Sequence, residues 1–347
     1  MRAVPRTVPK SSAPTLKEVA QLAGVSRATA SRVFTESPRV SDEARRAVER
    51  AARRLGYVPN RAARSLVTGR SDSVALVIPE PTTRLFGDPF FPRLLRGISE
   101  VLAAHDLQLV LVAPQNSADE RRLERYLSGG HVDGALLVSL HGADPLPAAL
   151  QARGLPVVLG GRPTGEGLVS YVDVDNQAGA FSAVRHLVQL GRRQIATIAG
   201  SLDMSVSQDR LEGYRRALEA GGLAWDPALE ESGDFSHEGG VTAMRTLLER
   251  RPRLDAVFAA SDLMAAGALL ALRAAGRRVP ADVAVIGYED SPIAATSLPP
   301  LSSVRQPNEE MGREMARLLI ASIGSQRQVA RRVVLATELV IRDSTAG

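Results

Sequence analysis

From Thr15 onward the apolar positions fall into a helical period. Leu16, Val19, Ala20 and Ala23 recur at i, i+3, i+4 and i+7, one face of a helix. Thr15, with Glu18 three residues on, has the spacing of a capping box. Gly24 accepts the positive φ that ends such a helix tightly. Val25 fills the turn, and Ser26 caps a second helix, Arg27 to Phe34, that buries Ala30 and Val33. A third helix follows a Ser41 cap, with Ala44, Ala47, Val48, Ala51 and Leu55 as its buried stripe, and Gly56 stops it. Helix, three-residue turn with glycine, helix is the helix-turn-helix spacing. In that motif the first residues of the second helix enter the major groove. Here they are Arg27, Ala28 and Thr29, with Arg32 one turn on. Residues 1–14, basic and without period, are expected to be a disordered tail, and residues 15–58 the DNA-binding domain.

The stretch after Tyr57 predicts a hinge helix within residues 59–70, capped by Asn60. A helix this short is marginal in water unless something holds it. Leu66 and Val67 would be exposed on it. An apolar side chain on a basic segment can wedge between base steps in the minor groove; the alternative is a plain linker. From Ser71 the period changes. Val74–Ile78, Leu107–Val112, Gly134–Val138, Val157–Gly160, Ile195–Gly200, Ala256–Ala260 and Val283–Gly287 read as buried strands alternating with helices. That alternation predicts parallel sheets covered on both faces, and its length predicts two lobes.

Ligands of open α/β sheets bind beyond the carboxyl ends of strands. The polar residues there include Arg162, Asp203 running toward Arg210, Ser261-Asp262, and Glu289-Asp290. Carboxylates and guanidinium groups between two lobes suit a polyhydroxylated ligand, because a sugar hydroxyl both donates and accepts. Its apolar ring face wants an aromatic, for which Phe90, Phe91, Phe235 and Tyr288 are candidates. A strand-end Ser or Asp also often only caps the next helix, and one of Phe90 and Phe91 is expected to be core.

Composition narrows the function. The chain has 347 residues, and cysteine is absent, which removes disulfides, thiolate catalysis and cysteine-based metal sites. Its net charge of +5 is uneven. Residues 1–70 carry 15 Lys/Arg against 5 Asp/Glu, whereas the remainder carries 28 against 33. A basic terminus on an acidic body is the footprint of a nucleic-acid-binding arm. The start lacks an apolar signal segment, and no apolar run approaches the ~20 residues that span a bilayer, so a cytoplasmic protein is expected. The five histidines are scattered without ligand spacing, and no phosphate-binding, nucleophile-elbow or zinc-protease motif is present. The expectation is therefore no enzyme, no metal and no cofactor. An exported sugar-binding protein is the other rival, opposed by the arginine-rich start.

The strings TLKEVAQLAGVSRATASRVF, VSDEARRAV…LGYVPN and NRAARSLVTGRSDSVALVIP closely resemble the lactose-repressor (LacI/GalR) family of bacterial transcription regulators. The resemblance runs from Thr15 to about Arg342. It implies an all-α helix-turn-helix headpiece joined to an α/β periplasmic-binding-protein-like sensor with two parallel-sheet lobes. The sensor would span residues 71–347, with an N-lobe of about 71–174 and 304–332 and a C-lobe of about 175–303 and 333–343. The resemblance places Arg27, Ala28 and Arg32 at base-reading positions and Thr29 and Asn60 near the DNA backbone. It places Ala63 and Leu66 in the central minor groove, and Arg210, Phe235, Ser261, Asp262 and Glu289 at effector-contact positions. Ser261 and Glu289 stand where many relatives have Asn and Asp. The strings VSLHGADPLPAAL, VVLGGRP and LERYLSGGHVDG are similar to oligosaccharide-responsive, cellobiose-type members. The partners implied are a pseudo-palindromic double-stranded DNA operator, a sugar effector and a second copy in a homodimer. The function implied is a repressor whose operator affinity the effector controls. The alternative is a global regulator or activator using a protein co-regulator or a non-sugar effector.

Overall fold

A computed structural model describes residues 14–34, 39–58, 69–164, 168–325 and 329–346. The chain divides into two compact units, residues 1–72 and 73–347. In the first, α1 (Leu16–Ala23), α2 (Arg27–Phe34) and α3 (Asp42–Leu55) pack together. Both halves of the capping box form: the Thr15 amide donates to Glu18 Oε2 at 2.7 Å, and the Glu18 amide to Thr15 Oγ1 at 3.4 Å. Gly24 takes φ 68°, which turns its N–H back to the carbonyls of Ala20 and Gln21. The Thr29 amide donates to Ser26 Oγ at 3.0 Å, which opens α2. Val19, Ala20, Ala30, Val33, Val48, Ala51 and Ala52 form the core. The expected stripe on α3 is corrected here: Ala52 is buried, while Ala44 and Ala47 are only half-buried. The rings of Phe34 and Tyr57, 5.5 Å apart, close the edge. Of the hinge, residues 59–68, and with them Asn60, Ala63 and Leu66, lie outside the described residues.

The second unit holds two six-stranded sheets. One contains β1 (Ser73–Val77), β2 (Gln108–Val112), β3 (Gly134–Val138), β4 (Val157–Gly160), β5 (Ser170–Val174) and β11 (Arg332–Leu335), in the order 2-1-3-4-5-11. The other contains β6 (Ile195–Ala199), β7 (Glu230–Ser232), β8 (Ala256–Ala259), β9 (Ala284–Glu289), β10 (Ser302–Arg305) and β12 (Glu338–Val340), in the order 7-6-8-9-10-12. All pairings are parallel except β10 with β12. The seven expected strands are present, and β5, β7, β10, β11 and β12 are additional to them.

Helices cover the sheets. They are α4 (Thr82–Gly87), α5 (Phe90–Ala103), α6 (Ser117–Ser128), α7 (Leu146–Ala152), α8 (Asn176–Gln189), α9 (Ser205–Ala220), α10 (His237–Arg250), α11 (Asp262–Ala274), α12 (Pro292–Thr296) and α13 (Asn308–Ser322). Alternate strand residues face opposite layers, so each sheet carries apolar clusters on both faces. On β8, Val257 and Ala259 pack into one layer and Ala256 and Phe258 into the other. The chain passes from one sheet to the other after Val174, after Arg305 and after Leu335. The second and third crossings therefore fall later than the expected positions near Ser303 and Val333. Both sheets share one winding order, with a switch point beside β1 and beside β6, where the crossovers part and a crevice opens.

Candidate DNA-reading helix and effector cleft

The first turn of α2 presents its side chains outward. Arg27, Ala28 and Arg32 are exposed, whereas Ala30 and Val33 on the opposite face are buried. Thr29 is half-buried, and its hydroxyl lies 2.9 Å from Ser26 Oγ, so it contributes to the cap. Arg27 and Arg32, five positions apart on the exposed surface with the small Ala28 beside Arg27, can each donate bidentately to guanine in a groove.

In the second unit a cavity of about 380 Å³ opens at the carboxyl ends of the strands. It is bordered by Arg84 and Asp88 after β1, Ser139 after β3 and Arg162 after β4. Asp173 and Asn176 border it beside the first crossing, Arg210 on α9, Phe235 after β7, Glu289 at the end of β9 and Gln306 at the second crossing. Phe90 and Phe91 stand on one side, edge to face at 5.2 Å.

Arg210 anchors the site and is 3% exposed. Its Nε donates to Asn176 Oδ1 at 2.9 Å, Nη1 to the Ala260 carbonyl at 2.6 Å and Nη2 to Gln306 Oε1 at 2.9 Å. Its guanidinium lies 3.6 Å from the centre of the Tyr288 ring, a cation–π contact. A buried guanidinium with its fork bonded is rigid, so it fixes neighbours from two crossings and two strand ends at once. Arg162 pairs with Asp209, and its backbone amide donates to Asp173 Oδ2 at 3.2 Å. Arg84, from the first lobe, stacks 4.7 Å over the ring of Phe235 from the second.

A chain of charged groups spans the lobes at the rim. His141 after β3 donates through Nε2 to Glu80 Oε1 at 3.2 Å and through Nδ1 to Asp203 Oδ2 at 2.8 Å. A ring that donates at both nitrogens is an imidazolium, and its pKa is accordingly raised, by the Glu80 bond above all. Glu80 also accepts from Ser139 Oγ and Arg84 Nη1, each at 2.5 Å. Burial pushes Glu80 up, but these bonds outweigh it and leave its pKa below the usual carboxylate value.

The carboxyl groups facing the cavity behave oppositely. Burial drives Asp88 and Asp173 up. It drives Glu289 up further, and the charge of Asp88 adds to the effect. Among the described residues none donates a hydrogen bond to the Glu289 carboxyl. Ser139, Phe235, Glu289 and Asp290 are four of six non-glycine residues with positive φ among those described. Such backbone costs about 1–3 kcal/mol per residue and gathers where a side chain must be aimed.

Residues 15–60 match the family model for bacterial regulatory proteins of the lacI family, and residues 184–345 that for a periplasmic binding protein-like domain. The HTH-type transcriptional regulator CelR of Thermobifida fusca is 53% identical over 333 residues, covering 95% of this chain and 98% of CelR. The HTH-type transcriptional repressor CytR of Escherichia coli (strain K12) is 36% identical over 339 residues, covering 96% and 97%. The chain belongs to the lacI family. Among solved structures this regulator is similar to a CelR–cellobiose complex, at 50% identity and TM-score 0.77, covering 95% of this chain and 99% of that one. It is also similar to the lac repressor dimer bound to operator and the anti-inducer ONPF, at 27% identity and TM-score 0.84, covering 96% and 99%.

In this lacI-family regulator the cavity brings together six expected residues: Phe90, Phe91, Arg162, Arg210, Phe235 and Glu289. Phe91 is buried core on its other side, whereas Phe90 is half-buried. Ser261 and Asp262 are corrections, because neither lines the cavity. Ser261 is fully buried and caps α11, accepting from the Met264 amide at 3.2 Å. Asp262, also fully buried, turns inward to accept from the Ser291 amide and the Ser303 hydroxyl. Arg84, Asp88, Ser139, Asp173, Asn176 and Gln306 were not expected at the site. Asp173, Asn176 and Gln306 sit at lobe crossings, and a polar residue beside a predicted crossing is the signal that would have found them.

Proposed function

We propose that this regulator is a repressor whose operator affinity is lowered by cellobiose or a closely related β-linked glucose oligosaccharide bound between the lobes. The observation that carries the reading is the cavity itself. Its volume of about 380 Å³ lies within the roughly 300–1,000 Å³ range of small-molecule sites. It has a rigid buried Arg210, carboxyl groups of Asp88 and Glu289 available to hydroxyls, and Phe235 as a ring platform. The relation to the CelR–cellobiose complex supports the sugar class. Bound sugar hydroxyls would donate to Asp88 and Glu289, and Arg84, Asn176 and Arg162 would donate to the sugar.

Arg27, Ala28 and Arg32 read base edges in the major groove, and Thr29 holds the helix start near a phosphate. Asn60, Ala63 and Leu66 contact DNA from the hinge, residues 59–70, which joins the two units in sequence. Two copies read a pseudo-palindromic operator, as expected of a dimer. The ligand shifts the population of lobe arrangements, and the hinge passes that shift to the headpiece. The cleft is read as a binding site without catalysis, and the protein as acting in the cytoplasm beside its DNA.

Calorimetric titration of the full-length protein with cellobiose tests the site. Saturable binding that Glu289→Gln weakens about tenfold or more is expected, since an amide NH2 replaces one carboxyl oxygen and faces the sugar hydroxyls with a different donor and acceptor pattern. No heat with cellobiose or its longer homologues would overturn the ligand class.

A further inference from the structure

Asp262 touches no part of the cavity, yet its bonds converge on the turn that carries Glu289. Its Oδ2 accepts from the Ser291 amide at 2.7 Å. Its Oδ1 accepts from the Ser303 hydroxyl at 2.6 Å, and that oxygen in turn accepts from the Asp290 amide at 3.0 Å. The two consecutive amides after Glu289 are thus both tied to one carboxylate, directly or through one hydroxyl. The tied backbone is strained, with Glu289 at φ 103° and Asp290 at φ 47°. Gly287 makes the approach possible, because a Cβ there would collide with Asp262 Oδ1.

The role is not helix capping, since Ser261 already caps α11. Nor is the turn held from this side alone. The Asp290 carboxylate accepts from Arg305 Nε at 2.8 Å and Arg342 Nη2 at 2.6 Å. The Asp290 carbonyl accepts from Arg93 of the other lobe at 3.2 Å. These bonds fix Asp290, whereas the Asp262–Ser303 pair sets the amide orientation that follows directly from the twist at Glu289.

We propose that Asp262, acting through Ser303, is a positioning residue for effector selectivity: it holds the Glu289–Asp290 turn in the left-handed form that aims the Glu289 carboxyl into the cavity. Selectivity is then set in part by a residue that meets no ligand. The inference rests on the cavity being the effector site.

Ser303→Ala removes the link with the smallest change of volume, and Ser303→Thr keeps the hydroxyl. Hydrogen exchange of the Asp290 and Ser291 amides in ligand-free protein is the first readout. Exchange about tenfold or more faster in Ser303→Ala, near the wild-type rate in Ser303→Thr and unchanged in the core strands is expected. The second readout is cellobiose affinity in a cycle with Glu289→Gln. Ser303→Ala should weaken binding about tenfold in the wild-type background and add little in the Glu289→Gln background, because the two act through one carboxyl. Unchanged exchange overturns the proposal. So does equal weakening in both backgrounds, which would make Ser303 a general structural support. A Glu289→Gln protein that binds cellobiose as the wild type does would strike the effector reading itself, an outcome distinct from either.

Discussion

On the proposed function, the headpiece and the cleft recognise their targets by opposite means. The reading face of α2 is exposed, drawn from one short segment, and placed by contacts between near neighbours in sequence. The cleft is largely buried, drawn from many strand ends, and placed by long-range polar bonds such as Arg210 to Gln306, 96 positions apart. A DNA backbone brings its own charge, so exposed guanidinium groups suffice there. A neutral sugar brings none, so its site must hold polar groups away from water and prearranged. The first design makes side chains replaceable one at a time. The second makes them interdependent.

That contrast orders the expected effects of substitution. The largest belongs to Arg210→Ala, which strands the acceptors Asn176 Oδ1, Ala260 O and Gln306 Oε1 in a buried setting. Sensor stability should fall by about 3–5 kcal/mol in denaturant titration, with cellobiose binding lost. Lysine should restore only part, because its three donors sit on one nitrogen and cannot reach acceptors spread over the three nitrogens of a planar fork. A change below about 1 kcal/mol would show that the buried network is not what holds the cleft.

Arg27→Ala comes next. It should cost ~1–3 kcal/mol in operator affinity at one base pair per half-site, with stability and sugar affinity unchanged. The check is a binding series against single-base operator variants. Equal loss on every variant would reassign Arg27 to phosphate contact.

The smallest effect concerns the rim. The folded pKa of His141 is raised, chiefly by its bond to Glu80, with Asp203 on its other face. A raised histidine contributes its full stabilisation below its unfolded pKa of roughly 6.5 and loses it as pH climbs through the folded value. The group is partly exposed, so the contribution is on the order of 1 kcal/mol or less. Wild type should therefore exceed His141→Gln in stability at acid pH, and the gap should close as pH rises above the unfolded value of roughly 6.5 and through the raised folded one. A gap that widens with pH would mean that the ring does not join the lobes as a cation.

The same contrast governs what the chain displays as sequence. The headpiece was legible because its determinants are local: the apolar period of α1, the Thr15–Glu18 box and the Ser26 cap are spaced three or four residues apart. The long apolar strands of the sensor were legible for the same reason. Four of the five further strands were not, because SYVDV, EES, SSVR and ELV interrupt the apolar run with charges and hydroxyls, and the fifth, RVVL, is a three-residue apolar run behind two arginines. Missing β5 and β10 meant missing Asp173, Asn176 and Gln306 beside them. Ser261-Asp262 illustrates the converse. Its position after a strand suggested ligand contact, but the direction a side chain takes there depends on Gly287 and Ser303, distant in sequence and adjacent in space. Arg84 and Asp88 lie well beyond the end of β1, where no strand-end rule points.

The central claim is that the cleft governs the headpiece, and an operator-binding titration of the full-length protein with and without cellobiose tests it most directly. The account predicts that saturating cellobiose weakens operator binding by the wild type at fixed salt, and that Glu289→Gln shifts this response to higher sugar concentration without altering sugar-free operator affinity. Operator affinity indifferent to cellobiose, in a protein that binds the sugar, would contradict it.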